Sequence, residues 1–236
     1  MNKGKLILIP TTLGEVSTSE NIAELVKKQI NNCEIFIVEK TRSARRFLKK
    51  AGITKPIDKL IFFEINKRTN IQDIPFFLKE IENGKNIGIL SEAGCPGIAD
   101  PGSEVVKLAH KKNIEVIPLA GPSSILLSLM ASGMNGQNFS FIGYLPIEKR
   151  KRRNKIKEIE TYSKQNNQTQ IFIETPFRNN QLLEELSTIC SINTEIVVAC
   201  DLTLPSQYIK RLKSNEWKNE NINLHKRPTI FLLHKY

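Results

Sequence analysis

Short runs of consecutive apolar residues alternate along this chain with stretches in which apolar positions recur every three or four residues. The first kind, at 6–10 (LILIP), 34–38, 59–65, 86–90 and 115–119, predicts strands. Continuous runs of this sort predict burial on both faces of a sheet. The second kind predicts helices at 21–31, 41–50, 71–83 and 103–112. Ser17 and Glu20 read as a capping box before the first helix. Gly52 stops the basic helix 41–50, and Pro75 and Gly84 bracket 71–83. In the second half, helices are predicted at 122–132, 151–163, 179–190 and 206–215. Strands are predicted there at 139–144, 170–174, 195–199 and 229–233.

This β-α-β-α order predicts an α/β protein with helices on both faces of a mostly parallel sheet. A Gly-Pro turn follows the fifth predicted strand, and no linker of disordered composition appears. The expectation is two apposed α/β domains, 1–119 and 120–236, each with a mostly parallel or mixed sheet flanked by helices.

Composition narrows the class. Of 236 residues, 40% are hydrophobic and 25% charged, which excludes wholesale disorder and collagen-like repeats. No apolar run approaches the roughly 18–20 residues of a membrane span. The apolar N-terminal run ends at Pro10, too short for a signal peptide. A cytoplasmic protein without membrane association is expected. The four cysteines show no CxxC spacing and the three histidines do not cluster with them, so free thiols and no metal site are expected. The net charge of +11 favours a polyanionic partner such as nucleic acid. A chain rich in Lys, Asn and Ile is also what AT-rich coding DNA produces.

Several chemistries lack their motifs in this chain. The turn after the first strand, Pro10-Thr11-Thr12-Leu13-Gly14-Glu15, is not a GxGxxG fingerprint. There is also no Walker A loop, nucleophile elbow or HExxH. What stands out is the loop 91–102, SEAGCPGIADPG, with three glycines and two prolines after the fourth strand. Glycine lets backbone approach a ligand, and ligands of open α/β sheets bind beyond the strand carboxyl ends. The loop also reads as a strand-to-helix turn capped by Asp100 or Ser103. Ser123 and Ser124 open a helix after Ala120-Gly121-Pro122, either capping it or offering hydroxyls and N–H groups to a ligand. Glu174 and Arg178 flank a rigid Thr175-Pro176-Phe177 turn, as a structural or a functional ion pair. Lys149, Arg150, Lys151, Arg152 and Arg153 lie in a stretch with seven cations in ten residues. Lys40, Arg42, Arg45, Arg46, Lys49 and Lys50 form a second basic group. Such runs suit phosphate contact, which gives affinity and orientation but reads no sequence.

Together these stretches resemble the tetrapyrrole-methylase fold family of S-adenosylmethionine-dependent methyltransferases. Within it the chain looks like the bacterial branch that 2′-O-methylates a cytidine ribose in small-subunit ribosomal RNA. The resemblance rests on the turn at 10–15, on Glu39-Lys40-Thr41-Arg42, on the loop 91–102, on PLAGPSS at 118–124, and on ASGM at 131–134. It extends to FIGYLP at 141–146 with its basic run, and to ETPFR at 174–178. It departs from the branch at Glu92, Cys95 and Phe177, and over 200–207, where an acidic pair and a lysine are largely lost.

The resemblance implies a homodimer that binds S-adenosylmethionine, releases S-adenosylhomocysteine and holds the cofactor in a cleft between the domains. Carried over by position, Leu13, Cys95, Ile98, Ser123, Ser124, Pro228 and Thr229 would contact the cofactor. Glu39, Glu92 and Glu174 are candidates for base or orienting roles, and Arg42 and Arg178 for holding substrate phosphate. The substrate would be ribosomal RNA or the small subunit. A tetrapyrrole C-methyltransferase and a non-catalytic RNA-binding protein on the same fold are the other readings.

Overall fold

The computed structural model describes residues 3–15, 22–66 and 69–236. The predicted capping box of Ser17 and Glu20 lies outside the described residues. The chain divides into two compact units, Met1–Ser123 and Ser124–Tyr236.

The first unit is built on five strands: β1 (Leu6–Ile9), β2 (Ile35–Val38), β3 (Ile61–Glu64), β4 (Ile87–Leu90) and β5 (Val116–Pro118). Their order is β3-β2-β4-β1-β5, and every pairing is parallel. Helices α1 (Glu24–Asn31), α2 (Thr41–Lys50), α3 (Ile74–Phe77) and α4 (Gly102–Lys111) connect them. The period-2 geometry of a strand separates its side chains onto two faces. Leu6, Ile35, Ile37, Ile87 and Ile89 pack with Ile74, Phe77, Val105 and Ala109, under α3 and α4. Ile7, Ile9, Phe36 and Val38 pack with Val26, Ile30, Ala44 and Leu48, under α1 and α2. Both faces are covered, which is why these strands read as unbroken apolar runs.

This arrangement creates a switch point. After β1 the chain crosses to β2 over one face, and after β4 it crosses to β5 over the other. β1 and β4 are neighbours, so the loops leaving their carboxyl ends diverge and open a crevice, the usual ligand position in open α/β sheets.

The second unit has α5 (Ser124–Ser132), β6 (Phe139–Tyr144), α6 (Lys149–Asn166), β7 (Thr169–Ile173), α7 (Asn179–Ile189), β8 (Glu195–Cys200), β9 (Tyr208–Lys213) and β10 (Thr229–His234). Its order is β6-β7-β10-β8-β9, parallel only between β6 and β7, so this sheet is mixed. Phe172, Val198 and Phe231 pack with Ile156 and Ile159 of α6, Leu182 and Leu186 of α7, and Trp217 on one face. α5 lies against β9 and β10.

Two predicted helices are corrected. The segment 206–215 forms the edge strand β9, fully paired with β8 from Tyr208↔Cys200 to Lys213↔Glu195, and a 3-10 turn follows at Ser214–Asn219. The segment 71–83 is not one helix but a single α turn between two 3-10 turns, Ile71–Asp73 and Lys79–Ile81. Its apolar face survives, since Ile74, Phe77, Leu78 and Ile81 are all buried. Among the described residues no helix is long and apolar enough to cross a membrane.

Candidate functional site

In the first unit three strand-end loops meet at the carboxyl edge of β4, β1 and β5. Thr11 and Gly94 form an isolated two-bond bridge, with Thr11 N–H donating to Gly94 O at 2.9 Å and Gly94 N–H returning to Thr11 O at 3.3 Å. The Thr11 hydroxyl donates to Ser91 O at 3.3 Å, and the Ser91 hydroxyl to Gly94 O at 3.0 Å. Gly94 has φ +78°, and a Cβ there would lie 3.3 Å from both Leu13 Cδ2 and Pro122 O. Gly121 sits so close to Pro10 that an added Cβ would fall 2.2 Å from the ring. The Cys95 thiol faces Pro122 O at 3.5 Å, and its burial raises its pKa.

Leu13, Cys95 and Gly121–Pro122 are thus brought together, with Ser123 buried just beyond. Ile98 is half exposed on the same loop as Cys95, and its backbone groups make no hydrogen bond among the described residues. Leu13, Gly94 and Cys95, with Gly121–Pro122 against them, form a cradle at the strand ends, and Ile98 lies half exposed further along the loop, after Gly97. The strain-prone glycines and the Asp100 carboxylate shape it. Asp100 Oδ1 accepts from both Gly97 N–H and Gly102 N–H at 2.8 Å, folding the loop onto the start of α4. This bears out the turn reading of Asp100 and leaves Ile98 projecting.

Acidic residues gather at the same edge. Glu39, at the end of β2, accepts the Glu92 N–H at 3.0 Å. Burial raises the Glu39 pKa, opposed by that hydrogen bond and reinforced by the nearby Asp100 and Glu92 carboxylates. Burial likewise raises the Asp100 pKa, and its Oδ2 is buried without a partner. Glu92 accepts from the Ser43 hydroxyl at 2.5 Å and lies 3.7 Å from Lys40 Nζ. Arg42 is exposed in the first turn of α2 and forms no ion pair among the described residues. That turn is fixed by Glu64 at the end of β3, whose Oε1 accepts Thr41 N–H at 2.7 Å and whose pKa is lowered as a result. A cavity of about 210 Å³ lies between α2 and the loops after β1 and β4, lined by Thr12, Leu13, Ser43, Arg46 and Ser91 among others.

In the second unit, Glu174 follows β7 and its side chain is only 1% exposed. Its Oε1 accepts both Thr175 N–H and Arg178 Nη2 at 2.6 Å, while Oε2 and Arg178 Nε are buried without partners. Pro228 precedes β10 and its carbonyl accepts Asp201 N–H at 2.9 Å. Thr229 is buried, its hydroxyl donating to Arg227 O at 3.0 Å. Ser124 opens α5. The departed segment after β8 is held by Asp201, which takes Arg227 Nε at 2.8 Å and the Ser206 hydroxyl at 2.9 Å. Asp201 and Thr203 both adopt positive φ.

One residue of the basic run is corrected. Lys149, Arg150, Lys151 and Arg153 are exposed on α6, but Arg152 is 3% exposed and points into the unit. It grips Glu185 with Nε and Nη2 at 2.7 and 2.6 Å and donates Nη1 to Ile147 O at 2.6 Å. Five consecutive cations cover every direction around a helix, so one of them must face inward. Arg152 is therefore withdrawn from the cations offered to RNA.

Ser43, Glu64 and Thr11 escape a reading of the sequence alone. Ser43 and Glu64 position acidic and helix-terminal groups from elements distant in sequence, and no local pattern marks them. Thr11 lies in the turn 10–15, but its bridging role depends on strand order.

A family model described as Tetrapyrrole (Corrin/Porphyrin) Methylases matches residues 11–217. The Ribosomal RNA small subunit methyltransferase I of Thermotoga maritima is 33% identical over 213 residues, covering 90% of each chain. Proteins of the same name from Bacillus subtilis and Vibrio cholerae are 32% and 28% identical, covering 92% and 98% of this chain and 71% and 77% of theirs. Among solved structures, the methyltransferase CobJ matches with a TM-score of 0.65 at 16% identity, over 98% of this chain and 94% of that one. A Thermus thermophilus uroporphyrin-III C-methyl transferase complexed with S-adenosyl homocysteine matches with a TM-score of 0.56 at 14% identity, over 98% of both. A family match that runs from the Thr11 bridge through the cradle loops to Trp217 leaves one assignment: the chain belongs to the tetrapyrrole (corrin/porphyrin) methylase family.

Proposed function

We propose that this protein is an S-adenosylmethionine-dependent methyltransferase that 2′-O-methylates a cytidine ribose in small-subunit ribosomal RNA. The observation that carries this is the 33% identity, over 90% of both chains, to a protein named for small-subunit ribosomal RNA methylation. The cradle of Leu13 and Cys95, with Ser123 just beyond, supports cofactor binding, and Ile98, Ser124, Pro228 and Thr229 are further proposed contacts. The reading includes a cytoplasmic homodimer.

The bound cofactor supplies a methyl group activated by its sulfonium. The chain's own task is to hold a ribose hydroxyl in line with that group, roughly 3–3.5 Å away, and to exclude water. A ribose hydroxyl is a weak nucleophile at neutral pH, and a positioned base contributes roughly 10²–10⁴-fold. Glu39 is the carboxylate best suited to take its proton. Its pKa is raised toward the working pH, and only one of its oxygens is committed, to Glu92 N–H. Glu92 is held by Ser43 and Lys40 and serves to orient Glu39. Glu174 and Arg178 hold each other, and Arg178 keeps part of its guanidinium accessible for substrate phosphate. Arg42 is free to meet a second phosphate.

The test is transfer of labelled methyl from S-adenosylmethionine to small ribosomal subunits lacking the modification. Incorporation mapped to a cytidine 2′-oxygen supports the proposal. Methylation of uroporphyrinogen III instead would assign a tetrapyrrole substrate. RNA binding with neither transfer nor cofactor affinity would leave a non-catalytic RNA-binding protein.

A further inference from the structure

The two basic clusters differ in how their charge is spent. α6 carries its own acids, and three of its eight cations are paired. Lys151 pairs with Glu148 at 2.9 Å, Lys155 with Glu158 at 2.5 Å, and Arg152 with Glu185 in the interior. Lys149 and Arg153 share a cavity wall with Glu184 and Glu185.

α2 is organised differently. Its ten residues, TRSARRFLKK, contain five cations and no acid. Arg42, Arg45, Arg46, Lys49 and Lys50 follow the spacing i, i+3, i+4, i+7, i+8, so at 100° per residue they fall within an arc of about 140°. All five are exposed, while Ala44 and Leu48 on the opposite side are buried in the core. Arg45 and Arg46 do approach Asp58 and Glu15, at 3.7 and 3.9 Å, but those acids are 93% and 84% exposed. Exposed pairs of this kind contribute little and exchange readily for another anion. Arg45 is also steadied by the Phe62 ring, 5.5 Å from its guanidinium carbon. The helix start is pinned by Glu64, and one flank of α2, at Ser43, Arg46 and Lys50, forms a wall of the cavity beside the loops after β1 and β4. The start of the stripe is therefore held at the same sheet edge as the cradle, and Arg46 and Lys50 reach the cavity beside it.

We infer that the exposed face of α2 is the surface of the first unit that binds the RNA phosphate backbone, ahead of the denser basic run on α6. This inference rests on the proposed RNA substrate and deepens it. At 1.5 Å per residue the stripe from Arg42 to Lys50 is about 12 Å long. That length faces about three phosphates of one strand at ~3.4 Å each along the axis. A one-sided stripe delivers its cations to a single strand together. On α6 the exposed Lys149, Arg150, Arg153 and Lys157 also share an arc of about 100°, but Glu148, Glu158, Glu184 and Glu185 lie alongside that run, whereas α2 contains no acid.

The experiment measures binding of a mixed-sequence, fluorescein-labelled single-stranded RNA as a function of salt, together with kcat and KM for small ribosomal subunits. It compares the wild type, Arg45→Gln/Lys49→Gln on α2, and Lys155→Gln/Lys157→Gln on α6, the last two losing the same net charge. Each single-strand phosphate that is no longer neutralised lowers the slope of log K against log salt by about 0.7. The α2 pair is expected to lower it by about 1–1.5, raise KM several-fold and leave kcat and the thermal midpoint near wild type. The α6 pair is expected to change the slope by less than half as much. Equal slopes in all three proteins, or an equal loss in both variants, overturns the inference. An α2-dependent slope without methyl transfer by the wild type leaves this surface standing and removes the proposed activity. Methyl transfer with no α2 dependence does the reverse.

Discussion

Arg152 and Glu185 form a two-pronged ion pair inside the second unit, with Nε on Oε2 at 2.7 Å and Nη2 on Oε1 at 2.6 Å. The hydrogen bonds from Arg152 hold the Glu185 carboxyl below the usual carboxylate range. Removing one partner of a buried pair strands the other charge, at a cost of about 3–5 kcal/mol. Arg152→Ala is therefore expected to lower the urea midpoint sharply, while Arg153→Ala, one residue on and exposed, leaves it nearly unchanged. The pH dependence follows from the sign of the shift. The stabilisation is fully present above the unfolded carboxylate pKa and is lost as pH falls through the depressed folded value. Urea titrations of the wild type from pH 7 downward should show this loss, and in Arg152→Ala it should be much smaller.

Glu39 gives a prediction about rate. Replacing it with Gln keeps the oxygen that accepts Glu92 N–H but removes the proton acceptor. The expected result is a fall in kcat of about 10²-fold or more, within the range for general bases, with cofactor affinity unchanged. Because the wild-type pKa is raised, its rate should fall as pH drops through a value above the ordinary glutamate range, and Glu39→Gln should lack that limb. A pH–rate profile for both proteins checks this.

Gly94 and Gly121 test the cradle. At Gly94 the +78° φ makes any side chain strained, by about 1–2 kcal/mol, and a Cβ would press on Leu13. At Gly121 a Cβ would strike Pro10 and force the two loops apart. Gly94→Ala and Gly121→Ala should each weaken S-adenosylmethionine binding at least tenfold by calorimetry. Gly52→Ala is the control. It has a comparable φ of +83°, with nothing within 4 Å of an added Cβ, so it should bind normally.

Much of this organisation is visible in the amino-acid pattern. The strand 139–144 and the helix 41–50 match β6 and α2 residue for residue. There, local periodicity and tertiary burial agree. β9 escapes the pattern because its residues are mostly half-buried and no face reads as apolar. The cross-strand bond from Arg211 to Glu195 exists only once β8 is alongside, and Tyr208 and Lys210 are tied to Glu220, which lies just beyond the following 3-10 turn. The charged side chains of β9 are what an edge strand uses to stay unpaired on its outer side. The segment 71–83 keeps its apolar face but not its hydrogen-bond pattern, because Pro75 limits the α turn and Phe77 is drawn onto the Phe63 ring at 4.9 Å. The cradle loops stand out through their glycines and prolines. The residues that fix them, Thr11, Ser43 and Glu64, do not, because their partners come from other strands.

Cys95 offers a chemical footprint of the same cradle. The thiolate is the reactive form, and burial raises the pKa of this thiol. Alkylation by iodoacetamide at pH 7 should be slower than for a free cysteine and should quicken as pH rises. Saturating S-adenosylhomocysteine should slow it several-fold further, read by mass spectrometry of the peptide containing Cys95. Cys33 and Cys190, both buried with pKa values pushed up to about 12, should stay unmodified throughout.

The central claim is that this member of the family methylates ribosomal RNA. Its most direct test incubates the protein with labelled S-adenosylmethionine and, in parallel, with unmodified small ribosomal subunits and with uroporphyrinogen III. The account predicts stoichiometric label in small-subunit RNA, at one cytidine 2′-oxygen, and none in the tetrapyrrole. Label in the tetrapyrrole, or tight cofactor binding with no label in RNA, would contradict it.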